Sequence, residues 1–143
     1  MLNNKETIKK VIILLIFAIA IIIRIIKWPL IMEEINCDEA MTAINAKAIS
    51  ETGCDMYGTS FPVYFEAWLV GGQSALLTYL MSTSIKIFGF SIMSIRLPLL
   101  IISIISIFIF DKLVKIIFED NYKIRVIMLL ILALNPWHIM QSS

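Results

Sequence analysis

The chain has 143 residues, a net charge of +1 at pH 7 and an apolar fraction of 59%. An ordinary soluble domain is roughly 45–50% apolar. The near-neutral charge, with no basic stripe, Gly-rich phosphate loop or internal repeat, argues against nucleic acid as a partner. The apolar residues form blocks separated by polar segments. We therefore predict an all-α integral membrane protein whose first partner is the lipid bilayer.

The first apolar block covers residues 8–26 and follows a basic start. Its 19 residues are close to the roughly 20 that a transmembrane helix needs. A signal peptide has the same beginning, but this run is too long and no small-residue cleavage site follows it. We predict a transmembrane span, with Arg24 near its outer end snorkelling to the interface.

The region from about 27 to 94 is predicted to be a long loop containing two short helices. Turn signals stand at 52–58 and at Phe61-Pro62. A helix over about 38–52 would have Asp38 or its neighbour as N-cap and end at Gly53. Its alanines would let it lie against a membrane or another helix.

The 74–88 stretch is the second predicted helix of this loop. It is apolar but has only 15 residues, a length more typical of an interfacial helix than of a span. The Gly71-Gly72-Gln73 sequence before it is interpreted as a bend.

Two further spans are predicted at about 95–118 and 124–139. Pro98 is expected in the first turn of the earlier one, where proline is tolerated. The Asn135-Pro136 pair is expected to end or kink the later one. Asp111 and Lys115, four residues apart, could pair on one helix face.

The basic residues predict the topology. With three spans, the amino terminus and the segment 111–125 share a side that carries seven of the twelve basic residues. The positive-inside rule makes that side cytoplasmic and the loop extracytoplasmic, in a multi-pass protein of the cell membrane. Trp28 and Trp137 would then mark the outer headgroup level. The seven basic residues are Lys5, Lys9, Lys10, Lys112, Lys115, Lys123 and Arg125.

Seven of the eleven carboxylates lie in the predicted outer loop. Most are interpreted as solvated. Asp38 and Glu39 differ because they begin a helix expected to lie at the membrane surface. A carboxylate held there beside apolar groups can act as a general base, whereas helix capping by Asp38 is the simpler interpretation. The seven are Glu33, Glu34, Asp38, Glu39, Glu51, Asp55 and Glu66.

The small number of cysteine and histidine residues limits which disulfide and metal sites the chain could form. Cys37 and Cys54 could form a disulfide in an oxidising compartment or remain free thiols. His138 is the only histidine, which excludes a His-rich metal site, and it is interpreted first as an interfacial residue. Carboxylates alone could hold a divalent cation, and no other cofactor is predicted.

Four motifs occur in order along the chain. The stretch INCDEAMTAINAKAISETGCDMYGTSFPVYF (35–65) combines D-E-A, a helix with alanines, T-G-x-D-x-x-G and an aromatic-Pro segment. GGQSALLTYL (71–80), IFGFSIMSIRLP (87–98) and ALNPWHIMQSS (133–143) follow it. This succession resembles polyprenyl-phosphate-sugar-dependent glycosyltransferases of the C-type fold, relatives of the protein O-mannosyltransferases and lipid A aminoarabinose transferases.

The resemblance implies inverting transfer of a sugar from a polyprenyl-phosphate donor to a protein, lipid or glycan acceptor at the outer membrane face. Asp38 matches the family's catalytic carboxylate, a general base, and Glu39 matches its neighbour. Gln73, Arg96 and His138 fall in the other motifs and are expected to bind substrate. For Arg96, proximity to the lipid phosphate and plain anchoring of its helix are both open, with anchoring preferred.

The chain departs from the family pattern in two ways. Ala75 stands where the family often has proline. Family members also carry many further spans, so the resemblance implies that the remaining spans of a full-length transferase are partners and that the chain alone is incomplete and inactive. The alternative is a small, non-catalytic membrane subunit that binds lipid or a protein partner through its loop. A transporter fragment is disfavoured, since no predicted span has a carboxylate at mid-depth.

Overall fold

The computed structural model describes residues 2–30, 35–67 and 71–142, with side chains for 4–26, 35–67 and 71–142. Most of these residues are helical, as predicted. The elements are α1 (Leu2–Leu30), α2 (Cys37–Thr52), β1 (Phe65–Ala67), β2 (Gly71–Gln73), α3 (Ala75–Phe88), α4 (Ile92–Ile117), α5 (Tyr122–Leu134) and α6 (Pro136–Met140).

The chain divides into two compact units. One, called the terminal unit here, comprises Met1–Leu30 and Leu99–Ser143; the other, the loop unit, comprises Ile31–Pro98. The terminal unit therefore contains α1, most of α4, α5 and α6. The loop unit contains α2, the hairpin, α3 and the first residues of α4.

Helix α4 is, within the described part of the chain, the one helix long and apolar enough to cross a membrane. Helix α1 has 29 residues but carries Lys9, Lys10 and Arg24 in or beside its apolar run. Helix α5 has only 13 residues because Asn135 ends it, as predicted. The predicted apolar blocks are helices. Among the described residues one of them qualifies as a candidate span, and three spans stay a prediction.

Helices α1 and α5 run parallel in the terminal unit. Lys9 Nζ lies 5.5 Å from the centre of the Tyr122 ring at their amino ends. At the other end, Arg24 donates to the Leu132 carbonyl oxygen at 3.4 Å. Both helices contribute to a core that also includes Ile107 of α4. Its other buried apolar residues are Ile13, Ile16, Ala20, Leu129 and Ala133.

A tight turn joins α4 to α5. Glu119 and Asp120 adopt left-handed backbone conformations there, with φ of 50° and 54°. The predicted Asp111–Lys115 pair is present at 3.2 Å. Asp111 also accepts two hydrogen bonds from Arg125, at 2.6 and 2.9 Å, a contact the sequence did not predict.

Helices α2 and α3 pack against each other in the loop unit. The sequence predicted that the alanines of α2 would lie against a membrane or another helix, and in the structure they lie against α3. The small side chains allow the two backbones to approach closely. The buried cluster contains Ala43, Ala46, Met81, Ile85 and Ile95.

Two helix starts differ from prediction. Asn36, rather than Asp38 or its neighbour, caps α2, and its Oδ1 accepts the Glu39 N–H at 2.7 Å. Helix α4 begins at Ile92, so Pro98 lies inside it rather than in its first turn. Ser91 explains the earlier start, because its Oγ accepts the Ser94 N–H at 3.2 Å. The predicted end of α2 at Gly53 is confirmed, with φ of 75°.

The predicted bend at Gly71-Gly72-Gln73 is wrong. These residues form β2, which pairs antiparallel with β1 in the register Phe65 to Gln73. A Cβ on Gly72 would lie 2.5 Å from the Tyr64 ring, so glycine is required for that ring to cover the strand. Tyr64 Oη donates to the Gly71 carbonyl oxygen at 2.9 Å.

Candidate functional site

Asp38 lies in the first turn of α2 and is exposed. Its backbone carbonyl accepts the Thr42 hydroxyl proton at 2.8 Å. The Asn36 cap, one residue before Cys37, fixes where the helix begins. A carboxylate in a first turn is favoured by the positive end of the helix dipole. The Asp38 carboxylate is thus held on a defined scaffold at an exposed position.

Glu39, the next residue, forms a buried ion pair with Arg96 of α4. Arg96 Nε donates to Glu39 Oε1 at 2.6 Å and Nη2 donates to Oε2 at 2.8 Å. The side chains are only 4% and 15% exposed for Arg96 and Glu39. Two parallel hydrogen bonds give this pair a fixed geometry. The preferred anchoring role of Arg96 agrees with this contact, and its proximity to a lipid phosphate stays a prediction.

Gln73 belongs to a second polar network in the loop unit. Its Oε1 accepts the Asn45 Nδ2 proton at 3.3 Å, while Asn45 Oδ1 accepts the Met56 N–H at 3.1 Å. Gln73 Nε2 is buried and has no hydrogen-bond partner among the described residues. Asn45 therefore links the hairpin and the turn after α2 to the middle of that helix.

Asp55 holds the turn itself. Its Oδ1 accepts the backbone N–H groups of Tyr57 and Thr59 at 3.0 and 2.8 Å. The residue is buried, so the general interpretation of the loop carboxylates as solvated does not apply to it. The T-G-x-D-x-x-G spacing gave a turn signal for Asp55, whereas nothing local in the sequence indicated the role of Asn45.

His138 belongs to the terminal unit, whereas the four other predicted site residues belong to the loop unit. Arg24 Nη2 lies 2.7 Å from His138 Nδ1, and Ser106 Oγ lies 2.9 Å from Nε2. Because a guanidinium can only donate, Nδ1 accepts and Nε2 carries the proton toward Ser106. Trp137 beside it is exposed; the side chain of Trp28, the other residue of the predicted aromatic belt, lies outside the described residues.

The prediction that Arg24 snorkels to an interface is wrong. Its side chain is fully buried, and Nη1 donates to the Ala20 carbonyl oxygen at 2.7 Å. Helix α6 accounts for this, since it follows the Asn135 cap and brings His138 back to α1. Arg24 Nε is buried with no acceptor in the described part of the chain.

Cys37 and Cys54 are free thiols in this structure. Cys54 Sγ lies 3.4 Å from Ser60 Oγ. Across residues 2–30, 35–67 and 71–142, no group of three or more His, Cys, Asp or Glu side chains is arranged to hold a metal ion.

A cleft of about 500 Å³ lies at the carboxyl end of α2, beside α3. Glu51 and Lys86 contribute its charged lining, and Thr83 and Tyr79 are also among its lining residues. The cleft includes none of the five predicted site residues. Asp38 instead lies at the opposite end of α2.

Comparisons of the chain with family models, with curated proteins and with solved structures find no match in any of the three.

Proposed function

We propose that the chain is a three-span membrane module, with spans at α1, α4 and the α5–α6 segment, in the cell membrane. The support is the large number of apolar side chains that the terminal unit leaves exposed. Soluble monomers rarely expose apolar patches larger than a few hundred Å². Exposed examples along the three spans are Leu14, Leu15, Ile22, Ile26, Ile105, Ile109, Ile116, Ile127, Ile131 and Leu134.

The charges support one orientation of this module. Lys9 and Arg125 lie at the same end of the terminal unit, since Lys9 contacts Tyr122 and Arg125 follows three residues later. The other end contains the buried Arg24–His138 contact. A basic end of this kind belongs on the cytoplasmic side, which leaves the loop unit outside.

The function proposed for the loop unit is sugar transfer from a polyprenyl-phosphate donor. The observation that carries this proposal is the buried Glu39–Arg96 pair, which fixes the first turn of α2 and leaves Asp38 exposed beside it. Catalysis requires a positioned base rather than a mobile one. In this arrangement Asp38 is the base, and Glu39 and Arg96 position it.

The proposed step is a direct displacement at the anomeric carbon of the sugar. An acceptor hydroxyl oxygen attacks that carbon, the bond to the phosphate oxygen breaks, and polyprenyl phosphate leaves. The proton of the acceptor hydroxyl passes to Asp38. Attack opposite the leaving group inverts the configuration. Cationic groups must stabilise the departing phosphate, and we assign these to further spans of a larger transferase that act with this chain.

The test is transfer by membranes from cells whose only copy of the gene carries Asp38→Asn. Radiolabelled polyprenyl-phosphate hexose and pentose serve as donors, and both the labelled product and the released polyprenyl phosphate are measured. Removal of a general base costs about 10²–10⁴-fold in rate, so we expect transfer to fall by that amount. Glu51→Gln, another exposed carboxylate of α2, is the matched control and should keep near-normal activity.

Full transfer by the Asp38→Asn membranes, at unchanged amounts of the chain, would rule out Asp38 as the base. Equal loss in both variants would point to a general effect of charge on α2 rather than to catalysis.

A further inference from the structure

A groove of about 530 Å³ runs along the surface of the terminal unit. Phe108 of α4 forms part of its wall and stacks on Phe17, with ring centres 4.9 Å apart. Arg125 of α5 also lines the groove. The spacing of the α1 residues follows one face of a helix, and Ala18 provides a recess among larger side chains. The α1 residues are Lys10, Ile13, Leu14, Phe17, Ala18 and Ile21.

The two basic residues of the groove differ in their electrostatic surroundings. Arg125 is balanced by Asp111, which accepts two of its hydrogen bonds. Lys10 is exposed, and no acidic side chain in the described part of the chain lies within ion-pairing distance of it. Glu6, one turn earlier, pairs instead with Lys9 at 2.6 Å. The groove is therefore apolar along most of its length and has an exposed lysine, Lys10, at one end, with Glu6 close enough to interact with it electrostatically.

The length of the groove matches one leaflet of a bilayer. Lys10 and Ile21 are eleven residues apart, which corresponds to about 16 Å along a helix. Half of the hydrocarbon core measures about 15 Å.

We propose that this groove binds one anionic glycerophospholipid, with the phosphate at Lys10 and one acyl chain extending past Ala18 to Ile21. The proposal rests on the membrane placement of α1 proposed above and is independent of sugar transfer. Lys10 supplies the charge complementarity, and the apolar wall formed by Phe17 and Phe108 accepts the chain. The lipid comes from the leaflet that meets the basic end of the terminal unit.

The first test measures lipid retention by the purified chain in mild detergent, using native mass spectrometry with added dioleoyl phosphatidylglycerol or dioleoyl phosphatidylcholine. We expect one phosphatidylglycerol to bind more tightly than phosphatidylcholine. Lys10→Gln should weaken phosphatidylglycerol binding about fivefold, the effect of one basic residue near an anionic lipid. Lys5→Gln removes the same charge from the same end of α1, outside the groove, and should bind like the unmodified chain.

Equal weakening by the two lysine variants would overturn the site in favour of diffuse attraction. Equal binding of the two lipids would overturn it as well. Both lysines are exposed, so neither substitution disturbs the packing of the unit.

A second pair of variants tests the acyl-chain path. Ala18→Phe fills the recess and should abolish tight retention of phosphatidylglycerol, while Ile19→Phe, on the neighbouring exposed position, should not. Unchanged retention in Ala18→Phe contradicts the proposal. A dimer that Ala18→Phe abolishes without changing lipid retention would place a second copy in the groove and also contradict it.

Alkaline carbonate extraction distinguishes failure of the lipid site from failure of the membrane placement of α1. Release of the chain from membranes would overturn the membrane placement of α1 itself. A chain that stays in the membrane but binds lipid equally well with and without Lys10 overturns the lipid site alone. Neither readout involves a sugar donor, so sugar transfer is tested independently.

Discussion

At the scale of single residues, the Glu39–Arg96 pair shows how one contact between residues far apart in the sequence can define a site. The two residues are 57 positions apart, and both are largely buried. Burying two charges is costly, so such a pair is weak evidence for net stabilisation. Removing one partner is nevertheless strongly destabilising, because the remaining buried charge loses two charge-assisted hydrogen bonds. The pair therefore acts chiefly to fix the position of α2 against the start of α4.

Glu39→Ala should lower the free energy of unfolding by about 3–5 kcal/mol, the usual cost of breaking a buried ion pair. Denaturant unfolding of the purified chain in detergent micelles, followed by circular dichroism, measures this loss. Glu51→Ala is the matched control, since Glu51 is exposed and lies 4.0 Å from Lys47. Exposed pairs contribute about 0–1 kcal/mol. Similar losses in the two variants would show that the Glu39 contact is no more important than a surface pair.

The buried Arg24 gives a second prediction at this scale. His138→Ala removes an acceptor from a buried guanidinium, which should cost about 1.5–3 kcal/mol. Ser106→Ala removes only the neutral partner of the same ring and should cost about 1 kcal/mol. Thermal unfolding of both variants in the same detergent gives their order. A larger loss for Ser106→Ala than for His138→Ala would contradict the proposed hydrogen-bond directions.

At the scale of secondary-structure elements, the helices are the part of the fold that the sequence predicts best. Apolar runs located α1 and α3–α5, and Gly53 and Asn135 indicated where α2 and α5 end. The incorrect predictions concern features that the local apolar pattern does not show. The start of α4 depends on Ser91, and β2 depends on a tyrosine ring lying across Gly72.

The candidate site was predictable only in part. The D-E-A motif indicated Asp38 and Glu39 as residues of interest. Sequence alone left both roles open for Arg96, because its contact with Glu39 depends on how α4 approaches α2. The buried position of Arg24 had no local signal, since a basic residue near a helix end ordinarily snorkels.

The N-cap of α2 can be tested directly. Asn36→Ala removes the acceptor for the Glu39 N–H and should cost about 1 kcal/mol of stability. Asn36→Ser retains a capping oxygen and should recover most of that loss. Denaturant midpoints of the two variants measure the difference. If serine is as destabilising as alanine, the side chain of Asn36 does not cap the helix.

The two compact units divide the proposed tasks between them at the scale of the whole molecule. The terminal unit has the exposed apolar surface and the basic end expected of a membrane-embedded module. The loop unit holds Asp38 on a packed pair of helices. The proposed orientation has the loop unit outside the membrane and the basic end of the terminal unit inside. Sugar transfer depends on this arrangement, whereas the lipid site depends on the membrane placement of α1.

The two natural cysteines allow that arrangement to be measured directly. Cys37 and Cys54 are the only cysteines of the chain, both lie in the loop unit, and Cys37 is exposed. Intact cells are treated with a membrane-impermeant maleimide, and labelling of the chain is compared before and after permeabilisation. Controls replace both cysteines by serine and introduce Lys5→Cys or Lys123→Cys, at exposed positions of the basic end. We expect the natural cysteines to be labelled in intact cells and the introduced ones only after permeabilisation; the reverse pattern, or labelling of both sets in intact cells, would contradict the account.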